Sequence, residues 1–335
     1  MRVAIIAPYS IGPMRGNITT VRRIARFLGL AGVEVKILAS DAMPILEMES
    51  CISSFSPDII HGFHVRHCGL TACNLAARHG IPAVITITGT DINDPQLRSN
   101  PATAHAMAAA AAVVCFDEFV AENVAGYFPN AASRLSIVPQ GIEPLSVKYE
   151  HSFDIPENAF VLLLPAALRP VKNVEFAIQT LAALAIDNDW LQLVIAGGVI
   201  DPGYAAAIQK MLADKPFARW LGEVPYQQMG DLYARADLVL NCSLFEGMPN
   251  SLLEAMALGR PVLARDIPGN HSLIQEGETG WLYRDEEDFR RQVLRLADDA
   301  ALREQTGRRA REYVLSNFSP ELETERYLKL YKSLG

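Results

Sequence analysis

Short apolar runs alternate with helical patterns along the first half of the chain. Six of these runs are predominantly apolar rather than alternating with polar residues, at 2–8, 33–39, 57–63, 82–88, 112–116 and 135–139. Continuous apolarity is typical of strands that are buried on both faces of a parallel sheet. Between the first two runs, Val21, Ile24, Ala25 and Leu28 recur at the spacing of one helix face. The first half therefore predicts a parallel sheet covered by helices.

The alternation stops between 143 and 158, where polar residues and proline predict a linker, and then begins again. Six further apolar runs follow at 160–166, 191–198, 218–222, 237–243, 261–264 and 280–283. Helical patterns separate these runs and end the sequence, at 173–187, 203–214, 226–236, 249–258, 285–297, 300–315 and 320–333. Two such series predict two doubly wound α/β domains that face a central cleft. We place the domains at 1–145 and 146–317.

Composition and charge exclude several classes of protein. The net charge of −8 argues against nucleic acid as a partner, because phosphate backbones attract basic surfaces. The longest apolar stretch, 106–116, has 11 residues, whereas a membrane-spanning helix needs about 20. The chain opens on a strand-like run instead of a signal peptide, and its five scattered cysteines are typical of reduced thiols. We therefore expect a cytoplasmic protein without a transmembrane segment.

The segment 237–264, DLVLNCSLFEGMPNSLLEAMALGRPVLA, carries the most informative pattern. A buried strand is followed by a loop, and Pro249 stands where a helix can begin. The backbone N–H groups around Asn250 and Ser251 would then form an anion site at the helix N-terminus.

Two glutamates flank this anion site. Glu246 lies on the loop, and Glu254 follows eight residues later on the helix. Amides for a phosphate and carboxylates for hydroxyl-rich groups suit a nucleotide sugar. A pair of glutamates near a helix start is also compatible with plain solvated charge.

The string FEGMPNSLLEAMALGRPV resembles the E-x7-E element of glycosyltransferase family 4. The resemblance extends in order through 137–143, 221–240, 265–270 and 276–283. It implies the GT-B architecture of two Rossmann-like domains, with the last helix, 318–335, crossing back to the first domain. It also implies a retaining glycosyltransferase that moves a sugar from a nucleoside-diphosphate sugar to an acceptor. No metal and no other cofactor would be required.

The resemblance assigns roles to residues of the second domain. Glu246 would contact the donor sugar as a catalytic residue, and Glu254 would bind the nucleotide ribose. Gly247 and the amides of Asn250 and Ser251 would contact the donor, the amides through its diphosphate.

Two cations after the first strand of the second domain complete the predicted donor site. In ALRPVKN (167–173), Arg169 and Lys172 would grip the diphosphate and neutralise the charge that develops on the leaving group. Lys172 matches the family's register. Arg169 lies three residues before Lys172, whereas five is the commoner spacing. It could therefore reach the phosphates by another path or have a structural role.

The first domain offers weaker signals. Gly12 and Gly16 follow the first strand and resemble the family's glycine-rich donor loop, although they form neither a G-x-G-x-x-G nor a Walker pattern. In HGFHVRH, three histidines invite a zinc interpretation, but no carboxylate or cysteine completes a set, and we expect no metal. His64 is an acceptor-side candidate, and His61 is equally compatible with a structural role.

The segment VITITGTDIND (84–94) departs from the family pattern. Thr88 stands where many members have a histidine against the donor sugar, and a threonine cannot transfer protons near neutral pH. We expect Thr90 and Asp91 to orient the acceptor instead.

This substitution keeps open the alternative of a non-catalytic relative that only binds nucleotide sugars. The E-x7-E string argues against a nucleotide-sugar epimerase, and the lack of a pyridoxal-phosphate lysine motif argues against a phosphorylase. The sequence leaves the donor base, the sugar, the acceptor and the oligomeric state open.

Overall fold

The chain forms two compact units, each with its own parallel sheet. The computed structural model describes residues 1–9 and 16–335, with the backbone alone for residues 16 and 17. Unit 1 contains Met1–Gly141, Phe245–Met248 and Phe318–Gly335. Unit 2 contains Ile142–Leu244 and Pro249–Asn317.

The six apolar runs of the first half all form strands of unit 1. These strands are β1 (Arg2–Ala7), β2 (Glu34–Ala39), β3 (Ile59–Phe63), β4 (Ala83–Thr86), β5 (Ala112–Cys115) and β6 (Leu135–Ile137). They are parallel and lie in the order β2-β1-β3-β4-β5-β6. The order reverses between β1 and β3, which marks the place where ligands bind in open α/β sheets.

Helices cover the sheet of unit 1. They are α1 (Gly16–Leu30), α2 (Ile45–Phe55), α3 (Leu70–His79), α4 (Thr90–Asn93), α5 (Pro95–Arg98), α6 (Pro101–Ala109) and α7 (Glu118–Tyr127). A π-helical turn, Val65–Gly69, precedes α3, and a 3-10 helix, Pro129–Arg134, follows α7. The predicted stripe of α1 is confirmed, since Val21, Ile24 and Leu28 are buried in the core.

Unit 2 repeats this architecture with a different strand order. Its strands are β7 (Phe160–Pro165), β8 (Leu191–Ala196), β9 (Ala218–Trp220), β10 (Leu238–Asn241), β11 (Val262–Arg265) and β12 (Trp281–Tyr283). They form one parallel sheet in the order β12-β11-β10-β7-β8-β9. This is the strand order of a Rossmann sheet. The order reverses between β7 and β10, and this place is called the switch point of the sheet.

The helices of unit 2 lie close to their predicted positions. They are α8 (Val174–Ala185), α9 (Pro202–Leu212), α10 (Tyr226–Arg235), α11 (Asn250–Ala257), α12 (Pro268–His271), α13 (Glu286–Asp298) and α14 (Ala300–Asn317). A 3-10 helix, Pro170–Lys172, follows β7. The sequence predicted each of these α-helices except the four-residue α12.

The predicted linker contains no helix or strand within 143–158, all of which the structure describes. It is nevertheless held to α10 by one carboxylate. Asp231 accepts hydrogen bonds from the three consecutive amides of 148–150 at 2.6, 2.8 and 3.2 Å, and lies 2.8 Å from His151 Nδ1. The hydrogen bond with His151 and those from the amides lower the pKa of Asp231. Hydrogen bonds to Asp231 therefore hold the start of this segment, residues 148–151, on unit 2.

The last helix, α15 (Pro320–Lys332), packs in unit 1. Glu323 accepts two hydrogen bonds from Arg23 of α1, at 3.0 Å from Nε and 3.0 Å from Nη2, and both side chains are buried. Tyr327 and Tyr331 are buried in the core beside β1 and β3. A polar pair and an apolar stripe thus fix this helix to the first sheet.

Within residues 1–9 and 16–335, no helix is long and apolar enough to cross a membrane. All five cysteines are described, and all are free thiols.

Candidate functional site

The segment after β10 has the strand–loop–helix geometry that the sequence predicted. Pro249 has extended backbone angles, and α11 begins one residue later, at Asn250. The first N–H groups of an α-helix have no partner within the helix, so the first turn of α11 presents amides at its N-terminus. Glu254 lies in the second turn and is only 8% exposed.

The segment after β7 lies against this loop. Leu168 bridges to Val199 next to β8, and the 3-10 helix that ends at Lys172 follows. The backbone N–H of Leu244 donates a 2.8 Å hydrogen bond to the carbonyl of Val171. The structure therefore brings the segment of Arg169 and Lys172 into contact with the start of the loop after β10, where the order of the sheet reverses.

Tyr233 of α10 contacts Glu254, a partner that sequence reasoning missed. Its hydroxyl lies 2.7 Å from Glu254 Oε2 and 3.2 Å from the carbonyl oxygen of Ser251. Burial and the charge of Glu254 raise the pKa of Tyr233 well above its usual value. The tyrosine therefore stays protonated and donates to the carboxylate. No sequence signal links two residues 21 positions apart on different helices.

The three residues that were predicted to lie on the acceptor side, which we call the acceptor-side cluster, lie together in unit 1. His64 follows β3 with a positive φ of 72° and is buried. Its Nδ1 lies 3.9 Å from Asp91 Oδ2, and its Nε2 lies 3.5 Å from Thr90 Oγ1. The ends of β3 and β4 thus place an imidazole, a hydroxyl and a carboxylate in one cluster.

Asp91 holds the loops of this cluster in place. It is fully buried, and its two oxygens accept hydrogen bonds from the amides of Val65, Thr88 and Gly89 at 2.8–3.1 Å. Its carboxylate therefore fixes the turn after β4 and the turn after β3, a structural role that the sequence analysis did not predict.

The segment Phe245–Met248 packs closely on the turn after β4. A Cβ atom on Gly89 would lie 2.3 Å from the amide nitrogen of Gly247, and Gly89 has a φ of 111°. Asn93 Nδ2 donates a 3.3 Å hydrogen bond to the carbonyl of Glu246. Gln140 Nε2 donates to the carbonyl of Met248 at 2.5 Å. Gly247 is therefore held by backbone contact, and the partly buried Glu246 lies beside the acceptor-side cluster.

His61 has the structural role that the sequence left open. It is fully buried, with Nδ1 at 2.6 Å from Tyr331 Oη and Nε2 at 2.7 Å from Thr86 Oγ1. Burial lowers its pKa to about 3. Both ring nitrogens are thus used to join β3, β4 and α15. In the described part of the chain, no group of three His, Cys, Asp or Glu side chains could hold a metal ion.

A pocket of about 380 Å³ opens at the ends of β1, β2 and β3 in unit 1. It is lined by Pro8, Tyr9, Ser40, Asp41, Met43, Ile45, Met48, His67 and Thr71. The ring centroids of His67 and His64 are 4.2 Å apart, so the pocket adjoins the acceptor-side cluster. Sequence reasoning missed this pocket, because its polar residues are scattered over the segments that follow three different strands.

The predicted donor loop contains Gly12 and Gly16. Gly16 is the first residue of α1. Gly12 lies outside the described residues.

Sequence comparisons place the chain in a family. The profile described as "Glycosyl transferases group 1" matches residues 148–313, and the profile described as "Glycosyltransferase Family 4" matches residues 41–144. Glycosyltransferase 1 domain-containing protein 1 of Xenopus tropicalis is 30% identical over 337 residues, which covers 95% of this chain and 94% of that protein. The chain belongs to the group 1 glycosyl transferases. The predicted family is thereby confirmed, and with it a glycosyltransferase function.

Solved structures share the fold of this group 1 glycosyltransferase. Sucrose-phosphate synthase from Thermosynechococcus elongatus matches with a TM-score of 0.83 and 16% identity, over 99% of this chain and 98% of that chain. HepE of Anabaena, in complex with UDP, matches with a TM-score of 0.80 and 15% identity over the full length of both chains. The predicted GT-B fold is confirmed by these likenesses.

Proposed function

We propose that this glycosyltransferase moves a sugar, with retention of configuration, from a nucleoside-diphosphate sugar to an acceptor without a metal ion. The observation that carries the proposal is the contact at the switch point of unit 2. There the hydrogen bond between Leu244 and Val171 joins the segment of the two cations to the start of the loop after β10, and α11 with Glu254 follows β10 in unit 2. Open α/β sheets bind their ligands at such points.

The proposed donor contacts follow from charge and position. Lys172 and Arg169 would bind the diphosphate and stabilise the negative charge that leaves with the nucleotide, which supplies the role that a metal ion otherwise has. The amides of Asn250 and Ser251 would bind phosphate oxygens at the start of α11. Glu254, held by Tyr233, would accept hydrogen bonds from the ribose hydroxyls.

The donor sugar and the loop of unit 1 have proposed roles of their own. Glu246 would contact the hydroxyls of the donor sugar, and Gly247 would let the backbone approach the donor. Gly12 and Gly16 are proposed to lie at the diphosphate.

The acceptor is proposed to bind in unit 1. His64 and Thr90 would contact it, while Asp91 would act by holding their loops. The adjoining pocket, with Asp41 and the hydroxyl of Thr71 in its lining, has room for a small hydroxylated molecule. Residues 1–145 and 318–335 would form the acceptor-side domain, and 146–317 the nucleotide-sugar-binding domain, of a cytoplasmic enzyme.

The test begins with binding and then measures turnover. A thermal-shift panel of UDP, ADP and GDP should identify the base, because a ligand that binds the native state raises its apparent stability. UDP comes first, since HepE shares the fold and was solved with it. Release of nucleoside diphosphate from the matching sugar donor should then be measured, with and without EDTA, and product NMR should give the anomeric configuration.

Variants separate the roles of the two cations. Lys172→Ala should lower turnover about 100-fold or more, as loss of a preorganised transition-state contact does, and Arg169→Ala should lower it less. Lys210→Ala, an exposed lysine on α9, is the matched control and should behave as wild type. Loss of activity in EDTA with rescue by Mg²⁺ would refute the metal-free mechanism. Binding without any turnover would favour the non-catalytic alternative that Thr88 keeps open.

A further inference from the structure

Tyr233 and Glu254 form a buried polar pair in the donor half of unit 2. The tyrosine has no exposed surface, and the glutamate is 8% exposed. The hydroxyl has a single hydrogen to donate, and the shorter of its two contacts is to the carboxylate, at 2.7 Å compared with 3.2 Å to the carbonyl of Ser251. The charged acceptor therefore receives the stronger hydrogen bond.

Both contacts of the hydroxyl lie on α11. Ser251 belongs to the first turn of that helix and Glu254 to the second, so one side chain of α10 holds the glutamate and touches the end of α11 that presents amides. A glutamate has three rotatable side-chain bonds, and ordering such a side chain costs conformational entropy. A fixed donor that orders the carboxylate before a ligand arrives removes part of that cost from binding.

The plain alternative is that Tyr233 is a core residue whose hydroxyl only needs an acceptor. That role is compatible with its burial, but it does not require that the acceptor be a carboxylate. The two readings differ in which ligand group they affect. If Tyr233 positions Glu254, loss of its hydroxyl should weaken only the binding of ligands that carry ribose hydroxyls. If Tyr233 is only a core residue, the loss should lower the stability of the fold without such selectivity.

We propose that Tyr233 is a positioning residue for the nucleotide: it holds the Glu254 carboxylate where the ribose hydroxyls of the donor bind. The inference rests on the proposed function, in which Glu254 binds the ribose. Tyr233 itself does not touch the donor.

The experiment uses calorimetry with the full chain and two ligands. The first ligand is whichever of UDP, ADP and GDP binds wild type most tightly, and the second is its 2′,3′-dideoxy analogue. Tyr233→Phe should raise Kd for the first ligand about 5- to 10-fold, the effect of losing one hydrogen bond, and leave Kd for the analogue within about twofold. Glu254→Ala should show the same selectivity, and the double variant should bind no more weakly than Glu254→Ala.

Controls separate this inference from the proposed function. Tyr313→Phe removes another partly buried hydroxyl of unit 2, which donates to the carbonyl of Ser272, and should change neither Kd. Equal weakening of both ligands by Tyr233→Phe, or no weakening, would overturn the positioning role while Glu254 kept its own. Wild-type affinity in Glu254→Ala would overturn the ribose assignment, and the role of Tyr233 with it.

Discussion

Replacing Glu323 by alanine should destabilise unit 1 far more than the loss of an ordinary surface charge. The Arg23 and Glu323 side chains are 5% and 1% exposed and share two hydrogen bonds of 3.0 Å. Removing one partner of a buried ion pair leaves the other charge in a medium of low dielectric constant, which costs about 3–5 kcal/mol. A tenfold change in an equilibrium constant corresponds to about 1.4 kcal/mol, so the population of opened molecules should rise about 100-fold or more.

An exposed ion pair in the same unit provides the matched control. Arg78 Nη1 and Glu49 Oε2 are 2.7 Å apart, but their side chains are 58% and 30% exposed. Surface pairs of this kind contribute about 0–1 kcal/mol. Glu49→Ala should therefore have little effect, although its ion pair is the shorter of the two.

Hydrogen exchange followed by mass spectrometry can measure how much each variant destabilises unit 1. All three tryptophans of the chain, Trp190, Trp220 and Trp281, belong to unit 2, so intrinsic tryptophan fluorescence does not report on unit 1. Exchange in peptides of β1 and β3 should give a free energy of opening that falls by about 3 kcal/mol or more in Glu323→Ala. Similar decreases for Glu323→Ala and Glu49→Ala would refute the reasoning.

A double replacement tests whether the buried charge itself is the cause. Arg23→Met with Glu323→Leu removes both charges and keeps apolar volume, which is often neutral for stability. The double variant should therefore be more stable than Glu323→Ala. A double variant less stable than the single one would show that packing, and not the unpaired charge of Arg23, causes the loss of stability.

Two further predictions concern the loops and the core of unit 1. Gly89→Ala should lower the melting temperature by about 5 °C or more, because its Cβ would lie 2.3 Å from the amide nitrogen of Gly247 at a φ of 111°. Gly126→Ala, with no atom within 4 Å of the new Cβ, should leave the melting temperature unchanged or raise it, and equal effects of the two changes would contradict the prediction. His61 should stay neutral in NMR titrations from pH 8 to pH 4.5, because burial lowers its pKa to about 3. Since the unfolded chain gains that proton near pH 6.5, this histidine should decrease stability as the pH falls from about 6.5 towards 3. A ring resonance of His61 that titrates near pH 6.5 would contradict this assignment.

The sequence predicted most of the fold, because the dominant signal was burial. All twelve apolar runs form strands; the central strands are buried along their length, whereas the edge strands β2 and β6 are partly exposed. In unit 1 the sequence predicted the positions of α1 and α15 alone among the α-helices, and in unit 2 it missed only the four-residue α12. A helix of one turn cannot show an apolar stripe, and α5 begins on local chemistry instead, with the Asp94 side chain accepting from the amide of Gln96.

The sequence predicted where the candidate site residues lie relative to strands and helices, but not which other residues they contact. Asn250 and Glu254 were placed correctly relative to a strand and a helix, because that relation is local in the chain. The hydrogen bond from Tyr233 to Glu254 and the burial of Asp91 depend on how separate loops and helices pack. His64 and Gly89 also adopt positive φ angles that no residue pattern of this length specifies. Tertiary packing, and not local propensity, decides these features.

The assembly of unit 1 from both ends of the chain has a consequence for synthesis on the ribosome. Arg23 is made 300 residues before Glu323, and His61 is made 270 residues before Tyr331. Translation proceeds at about 5–20 residues per second, so roughly 15–60 s pass between the synthesis of the first helix and that of the helix that completes the core of unit 1. The stretch that forms most of unit 2, up to Asn317, has been translated before that helix emerges. The later half of this protein can therefore finish folding first, and during the delay the earlier half exposes the apolar surface that Tyr327 and Tyr331 later cover.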